Sequence, residues 1–153
     1  MYIVFLNFQE NIRKKQRNIL VNAANEAGKI YANTSYERVT EDIEWMIEKI
    51  VEIGIDRVTF LICKNSIRDK VNLSRLNKIA LSAMKQTQNT FLPLIDQCVF
   101  FKESFSLIKS KEKYIAHLNK KDNLFLGNAI KNNNNKAIFI GPEGDFDKNE
   151  VEY

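Results

Sequence analysis

Cysteine, proline and histidine are scarce in this sequence of 153 residues, which holds two cysteines, two prolines and one histidine. Cys63 and Cys98 each lie in an apolar stretch, and no Cys-x-x-Cys or Cys/His pairing is present. This pattern favours two buried thiols over a disulfide framework or a zinc site, and we expect no metal. His117 follows an alternating stretch, where packing or a hydrogen bond is the commoner role and general-base chemistry is the alternative.

Long hydrophobic runs are also missing. The most apolar segments, VTFLIC and AIFIG, are much shorter than the ~20 residues of a membrane-spanning helix. The N-terminal apolar run precedes a basic cluster, which is the reverse of a signal peptide. We therefore expect no membrane association and a cytoplasmic location. The net charge of +4 fits an acidic partner such as RNA without requiring one.

Two amphipathic helices are predicted from apolar spacing. The stretch VTEDIEWMIEKIVEIG carries an apolar stripe at helical intervals, with Thr40 as its N-cap and Gly54 as its stop. The stretch LSRLNKIALSAMKQTQNTF repeats this spacing and cannot continue through Pro93. Between them, DRVTFLIC is apolar almost throughout, as expected for a strand that is covered on both faces.

Shorter elements complete the pattern. We predict a strand at DQCVFF, a short helix at KESFSLIKS, and strands at KYIAHL and KAIFIG, with KNNNNK as a solvated connector. Strands that alternate with helices imply right-handed crossovers and a mainly parallel sheet, so the fold class is α/β with flanking helices. The pattern over residues 1–39 is less regular, and it fits a basic helix over NIRKKQRNILVNAANEAGK followed by a strand at KIYAN.

The stretch IFIGPEGDFDKNEVE, which starts at Ile138, combines a strand, a glycine turn and a helix start. Asp147 and Glu150 have the spacing of a capping box. Ligands bind parallel sheets where strands end at their carboxyl edge, and Gly141 and Gly144 would let a flat ligand approach the backbone. A tight connection that binds nothing is the alternative.

Three blocks of sequence carry a resemblance to a known family. They are IEWMIEKIVEIGIDRVTFLIC, RLNKIALSAMKQTQNTFLPLI and IGPEGDF, and they span about residues 40–148 in order. Together they resemble the ribosomal RNA small subunit methyltransferase E family, whose members are knotted methyltransferases of the SPOUT class. The resemblance implies a SPOUT-like α/β knot domain that binds S-adenosylmethionine and methylates N3 of a uridine in 16S rRNA of the small ribosomal subunit. It also implies a homodimer.

The resemblance also implies site residues. Those that match the family's cofactor pocket are Leu118, Gly141, Pro142, Glu143 and Gly144. Two catalytic candidates follow from the same resemblance: Arg68 lies in the loop that family members use near the substrate, and Gln86 matches the family's helix glutamine. Basic side chains on the expected RNA side are Arg57, Lys64, Arg68, Lys70 and Arg75, for which a solvated face is the alternative.

The sequence also departs from the family. Residues 1–39 do not resemble the family's PUA-like N-terminal domain, and the segment that completes the knot does not follow Tyr153. We therefore expect an N-terminal segment over 1–39 and a SPOUT-like domain over 40–153 that is incomplete at its C-terminus, with impaired activity. The alternative function is a non-catalytic scaffold or an RNA- or protein-binding module. A nucleotide-binding domain of another class lacks support, because neither GxGxxG nor Gly-Lys-Ser/Thr is present.

Overall fold

Helices and strands alternate along most of the chain in the computed structural model, which describes residues 3–8, 36–66, 69–116, 135–141 and 145–153. The elements in chain order are β1 Ile3–Phe8, α1 Tyr36–Ile53, β2 Arg57–Ile62, α2 Leu73–Gln86, β3 Leu94–Ile95, β4 Val99–Phe100, α3 Phe101–Leu107, β5 Glu112–Ala116, β6 Lys136–Ile140 and α4 Lys148–Val151. The helix proposed over residues 11–29, the strand at 29–33, most of KNNNNK, and His117 lie outside the described residues.

The strands form one sheet in the order β3-β2-β1-β6-β5, and β4 also pairs with β2. Pairing is parallel between β2 and β3, between β2 and β4, and between β5 and β6. The prediction of an α/β fold with a mainly parallel sheet is therefore confirmed. β1 is the exception, because it lies in the middle of the sheet and pairs antiparallel with both β2 and β6.

The first helix differs from its predicted start. α1 begins at Tyr36, four residues before Thr40, so Thr40 is a helical residue and the N-cap prediction was wrong. No glycine or proline lies between these positions to interrupt the helix. Its predicted end is confirmed: Gly54 has φ of 81°, and the Ile55 N–H donates to the Ile50 carbonyl at 3.1 Å. This reversal sends the chain directly into β2.

Two apolar clusters cover the two faces of the sheet. The larger cluster packs α1 and α2 against one face, with fully buried side chains that include Ile47, Val58 and Phe60. The smaller cluster packs α3 against the other face around Phe101 and Phe139. β2 is buried on both faces along its centre, as its near-continuous apolar sequence predicts.

The strand predicted at DQCVFF is shorter than expected. Only Val99–Phe100 pairs with β2, and a second short strand, Leu94–Ile95, precedes it on the same side of β2. Asp96 lies between them, and its carboxylate accepts hydrogen bonds from Arg57 Nε at 2.6 Å and from Thr59 Oγ1 at 2.5 Å. This side-chain bonding to β2 accompanies the break in the edge strand.

Candidate functional site

The end of β6 places Gly141 at the carboxyl edge of the sheet. β2 and β6 each run antiparallel to β1, so they run in the same direction and end at the same edge. Cys63 follows β2 there, and Gly141 follows β6. In sheets with this arrangement, the carboxyl edge is where ligands bind.

Gly141 packs directly against a side chain of its own turn. A Cβ at this position would lie 3.1 Å from two ring carbons of Phe146 and 3.3 Å from Asp145 Oδ1. Asp145 has a left-handed φ of 59°, and its Oδ1 accepts the Phe146 N–H at 2.8 Å. The chain thereby turns back and buries the Phe146 ring beside Phe101 and Phe139. Close packing against the Phe146 ring is thus one reason for glycine at this position, whether or not a ligand binds here.

The chain from Asp145 to Glu150 is fastened to the loop after β2 by contacts that we call the rim clasp, between residues 63–66 and residues 145–150. Lys64 Nζ lies 2.7 Å from Asp147 Oδ2, and the Lys64 N–H donates to Glu150 Oε1 at 2.9 Å. The side-chain Nδ2 of Asn65 donates to the Asp145 backbone carbonyl at 3.0 Å. Two loops that are about 80 residues apart in the chain therefore form one edge of the sheet.

The capping box predicted at Asp147 and Glu150 is confirmed. Asp147 Oδ1 accepts the Asn149 N–H at 3.1 Å, and Glu150 Oε2 accepts the Asp147 N–H at 2.9 Å. The Glu150 carboxylate therefore holds one backbone N–H from each half of the clasp, since its other oxygen accepts from Lys64. One side chain both starts α4 and joins it to β2.

Charge and burial determine the protonation of the clasp. The hydrogen bond from Lys64, together with the Asn149 backbone, holds the pKa of Asp147 below its ordinary value. The pKa of Lys64 is raised by the same contact. Burial, with a smaller effect of the Glu150 charge, raises the pKa of the Cys63 thiol. Cys63 is therefore a neutral buried thiol and not a nucleophile, because only the thiolate attacks.

The structure describes only part of the predicted site. Gly141 lies at the rim, whereas Leu118, Arg68, Pro142, Glu143 and Gly144 lie outside the described residues. Gln86 is exposed in the last turn of α2. This turn lies near the opposite edge, because the chain continues from it into β3, whose Leu94 pairs with the first residue of β2. The catalytic roles of Arg68 and Gln86 stay predictions.

Three of the five basic residues expected to face RNA are occupied by carboxylates. Arg57 Nε lies 2.6 Å from Asp96 Oδ2, Lys64 pairs with Asp147, and Arg75 pairs with Glu44. Lys70 is exposed, and Arg68 is outside the described residues. No local sequence pattern predicts these pairs, since the partners lie 31 to 83 residues apart.

Within the described ranges, no group of three or more His, Cys, Asp or Glu side chains is arranged to hold a metal ion. No helix in the described part of the chain combines the length and the apolar character that crossing a bilayer requires.

Known proteins match most of this chain. The RNA methyltransferase domain family model matches residues 33–153. A ribosomal RNA small subunit methyltransferase E from Mesomycoplasma hyopneumoniae (strain 232) is 30% identical over 120 residues, which is 74% of this chain and 51% of that protein. The Rickettsia conorii protein of the same name is 25% identical over 107 residues, which is 69% of this chain and 44% of that one. The chain spans about half the length of these relatives.

Solved structures agree with the sequence matches. A "probable rRNA-methyltransferase" from Porphyromonas gingivalis has a TM-score of 0.62 and 33% identity, over 74% of this chain and 49% of that one. A methyltransferase from Legionella pneumophila, solved with bound SAM, has a TM-score of 0.61 at 22% identity, over 72% of this chain and 47% of that one. The resemblance seen in the sequence is thereby confirmed, and the chain belongs to the RNA methyltransferase domain family.

Proposed function

We propose that the chain is the S-adenosylmethionine-binding part of an rRNA methyltransferase that acts on N3 of a uridine in 16S rRNA. One observation carries the proposal: Gly141 follows β6 at the carboxyl edge of the sheet, and Asp147 and Glu150 are fastened there to the loop after β2. The match to the family over residues 33–153 supports the reaction class. The relatives named for the small ribosomal subunit support the RNA substrate.

The backbone at the rim fits the proposed cofactor. Gly141 follows β6 where adenosyl ligands approach backbone groups in sheets of this kind. Gly141, Pro142, Glu143 and Gly144 would hold the adenosyl part, with Leu118 beside them. When bound, the cofactor supplies an electrophilic methyl group.

The chain's own contribution is to position two reactants. N3 of uridine carries a proton that must leave as its lone pair attacks, so the base has to be held in line and turned out of its stack. The rim clasp fixes one wall of this arrangement, because Lys64 and Asn65 tie the loop after β2 to the turn after β6. Arg68 and Gln86 stay candidates for contact with the base or its proton.

Calorimetric titration with S-adenosylmethionine tests the proposal. We expect saturable heat that is absent with ATP, which shares the adenosine but lacks the methionine. A Gly144→Val variant should lose the heat, because the new side chain would fill the turn. A flat wild-type trace at millimolar cofactor would favour the alternative, a non-catalytic scaffold.

Methyl transfer and target position need a second measurement. Incubation with a 16S rRNA fragment should place a methyl group on a uridine and stop reverse transcription there, since N3 lies on the pairing edge of the base.

We also propose a homodimer, which light scattering would detect. Exposed apolar side chains along the β3–β4 edge, including Leu94 and Phe100, are consistent with an interface. A ribosomal substrate would place the protein in the cytoplasm.

A further inference from the structure

Three of the basic residues that the sequence predicts to face RNA are paired with carboxylates, so other exposed cations are more readily available to an RNA backbone. Arg57 is held by Asp96 in a two-point contact, with Nε–Oδ2 at 2.6 Å and an Nη2–Oδ1 hydrogen bond of 3.1 Å. Lys64 and Arg75 are paired with Asp147 and Glu44. An RNA phosphate would have to displace a carboxylate at each of these positions.

A second set of lysines lies on the segment that joins α3 to β5. Burial alternates along it: Ile108 and Ser110 are buried, whereas Lys109, Lys111 and Lys113 are exposed. We call these three lysines the lysine row. Within the described ranges, none of these three lysines forms an ion pair.

The one acid within this segment faces away from the row. Glu112 Oε2 accepts the Tyr114 hydroxyl at 3.0 Å and lies 3.6 Å from Nζ of Lys136, whose side chain is 6% exposed. Its charge is thus used internally, next to the start of β6. The sequence KSKEK reads as mixed charge, but the fold separates the signs and leaves three positive charges in solvent.

The backbone under the row is anchored. Ile108 belongs to the apolar cluster beneath α3, and Ser110 is buried. Lys113 is the second residue of β5 and is paired in register with Ala137 of β6. Cations on a fixed backbone lose less entropy on binding a polyanion than cations on a free loop do.

The row also points towards the proposed site along an edge strand. β5 is the last strand of the sheet in the described chain, and its Ala116 is in register with Ile140, the residue before Gly141. Ala116 lies three positions after Lys113 in the strand, which corresponds to a distance of about 10 Å. A nucleic acid strand that follows β5 from the row would therefore reach the carboxyl edge beside the glycine turn.

We propose that the lysine row, Lys109, Lys111 and Lys113, binds the phosphate backbone of a single-stranded RNA segment. The inference rests on the proposed function for the nature of the partner. Lysine side chains neutralise phosphates without reading bases, and single-stranded RNA is the form in which a target base is accessible. The row holds the strand while recognition of the uridine belongs to the site at the rim.

Salt dependence of RNA binding tests the row. Anisotropy of a fluorescent single-stranded RNA would be measured between 50 and 300 mM KCl for the wild type, for Lys109→Gln/Lys111→Gln/Lys113→Gln, and for a control, Lys78→Gln/Lys85→Gln/Lys102→Gln. Both variants lose three exposed positive charges. We expect the slope of log K against log salt to become shallower by about 2 in the row variant only, at ~0.7 per phosphate contact. Circular dichroism would verify that both variants fold.

Three results would contradict the proposal that the lysine row binds RNA. They are a slope that is unchanged in the row variant, an equal change in the control, and displacement of the RNA by poly-glutamate at equal charge, which would assign the row to acidic polypeptides. Calorimetry with S-adenosylmethionine on the same samples separates the two proposals. A row variant that keeps cofactor binding but has the wild-type slope contradicts the row alone, whereas a normal row effect without cofactor binding contradicts the proposed function alone.

Discussion

At the scale of single residues, a small number of side chains define the edge of the sheet. Gly141 admits the ring of Phe146, and Glu150 joins two loops through two backbone N–H groups. The sequence marked Gly141, Asp147 and Glu150 because their local spacing has meaning. It did not indicate that Asp147 contacts Lys64, since a contact across 83 residues has no local pattern.

A side chain at Gly141 should strain the turn. Gly141→Ala is expected to lower the free energy of unfolding by about 1–3 kcal/mol, because the added Cβ would press against the Phe146 ring. Urea denaturation would measure the loss. In Phe146→Leu the smaller side chain should make the same substitution less costly, so the double mutant should show a favourable coupling. Strict additivity of the two substitutions would contradict the contact.

Both cysteines should resist thiol reagents in the folded chain. Burial, with the Asp69 charge, raises the pKa of Cys98 to about 11, and burial raises the pKa of Cys63 further. At pH 8 we expect reaction with Ellman's reagent to be at least about a hundredfold slower per thiol than for an ordinary cysteine. The guanidinium-unfolded chain should release two equivalents rapidly. Rapid reaction of the native protein would show that the two thiols are accessible and not buried.

At the scale of elements, β1 is the largest departure from the sequence-based interpretation. Its residues lie outside the part matched by the family model, which begins at residue 33. Even so, β1 joins β2 to β6 by antiparallel pairing on both sides, so a segment outside the family match supplies the middle of the sheet. Its sequence IVFLNF is rich in strand-forming residues, but such a short run does not reveal where it will pair.

A proline within β1 should therefore be costly. Leu6→Pro removes an N–H from a strand that is paired on both sides, and it leaves a carbonyl without its donor. We expect a loss of about 2–4 kcal/mol in the free energy of unfolding, from the missing bond and the unsatisfied partner.

The matched control is Leu6→Ile, which keeps the N–H and strand propensity and should retain most of the stability. Urea denaturation of both variants would give the comparison. Equal stability of the proline and isoleucine variants would show that β1 is not a paired central strand.

At the scale of the whole molecule, ion pairs connect elements that are distant in the chain. Asp96 joins β2 to the β3–β4 edge, Glu44 joins α1 to α2, and Asp147 joins the two halves of the rim clasp. Each exposed pair contributes little by itself. The pair of Asp147 with Lys64 makes the carboxyl edge respond to pH.

Acid should weaken the rim clasp. The pKa of Asp147 is lowered in the folded state, so its contribution is present above its unfolded value of about 3.9 and is lost as pH falls through the folded pKa. The pKa of Lys64 is raised, so protonated Lys64 stays available throughout this range. Urea midpoints measured from pH 6 to pH 2.5 should fall on the acid side. Asp147→Asn should show a smaller decline, and an identical decline would contradict the assignment.

The sequence by itself determined the alternation of helices and strands, the helix end at Gly54, the capping box before α4 and the family resemblance, because each depends on residues close together in the chain. Tertiary structure decided the place of β1, the partners of the arginines and lysines, the packing of Phe146 on Gly141 and the exposure of the lysine row. These features depend on which distant segments meet when the sheet assembles. Local spacing carries no information about that.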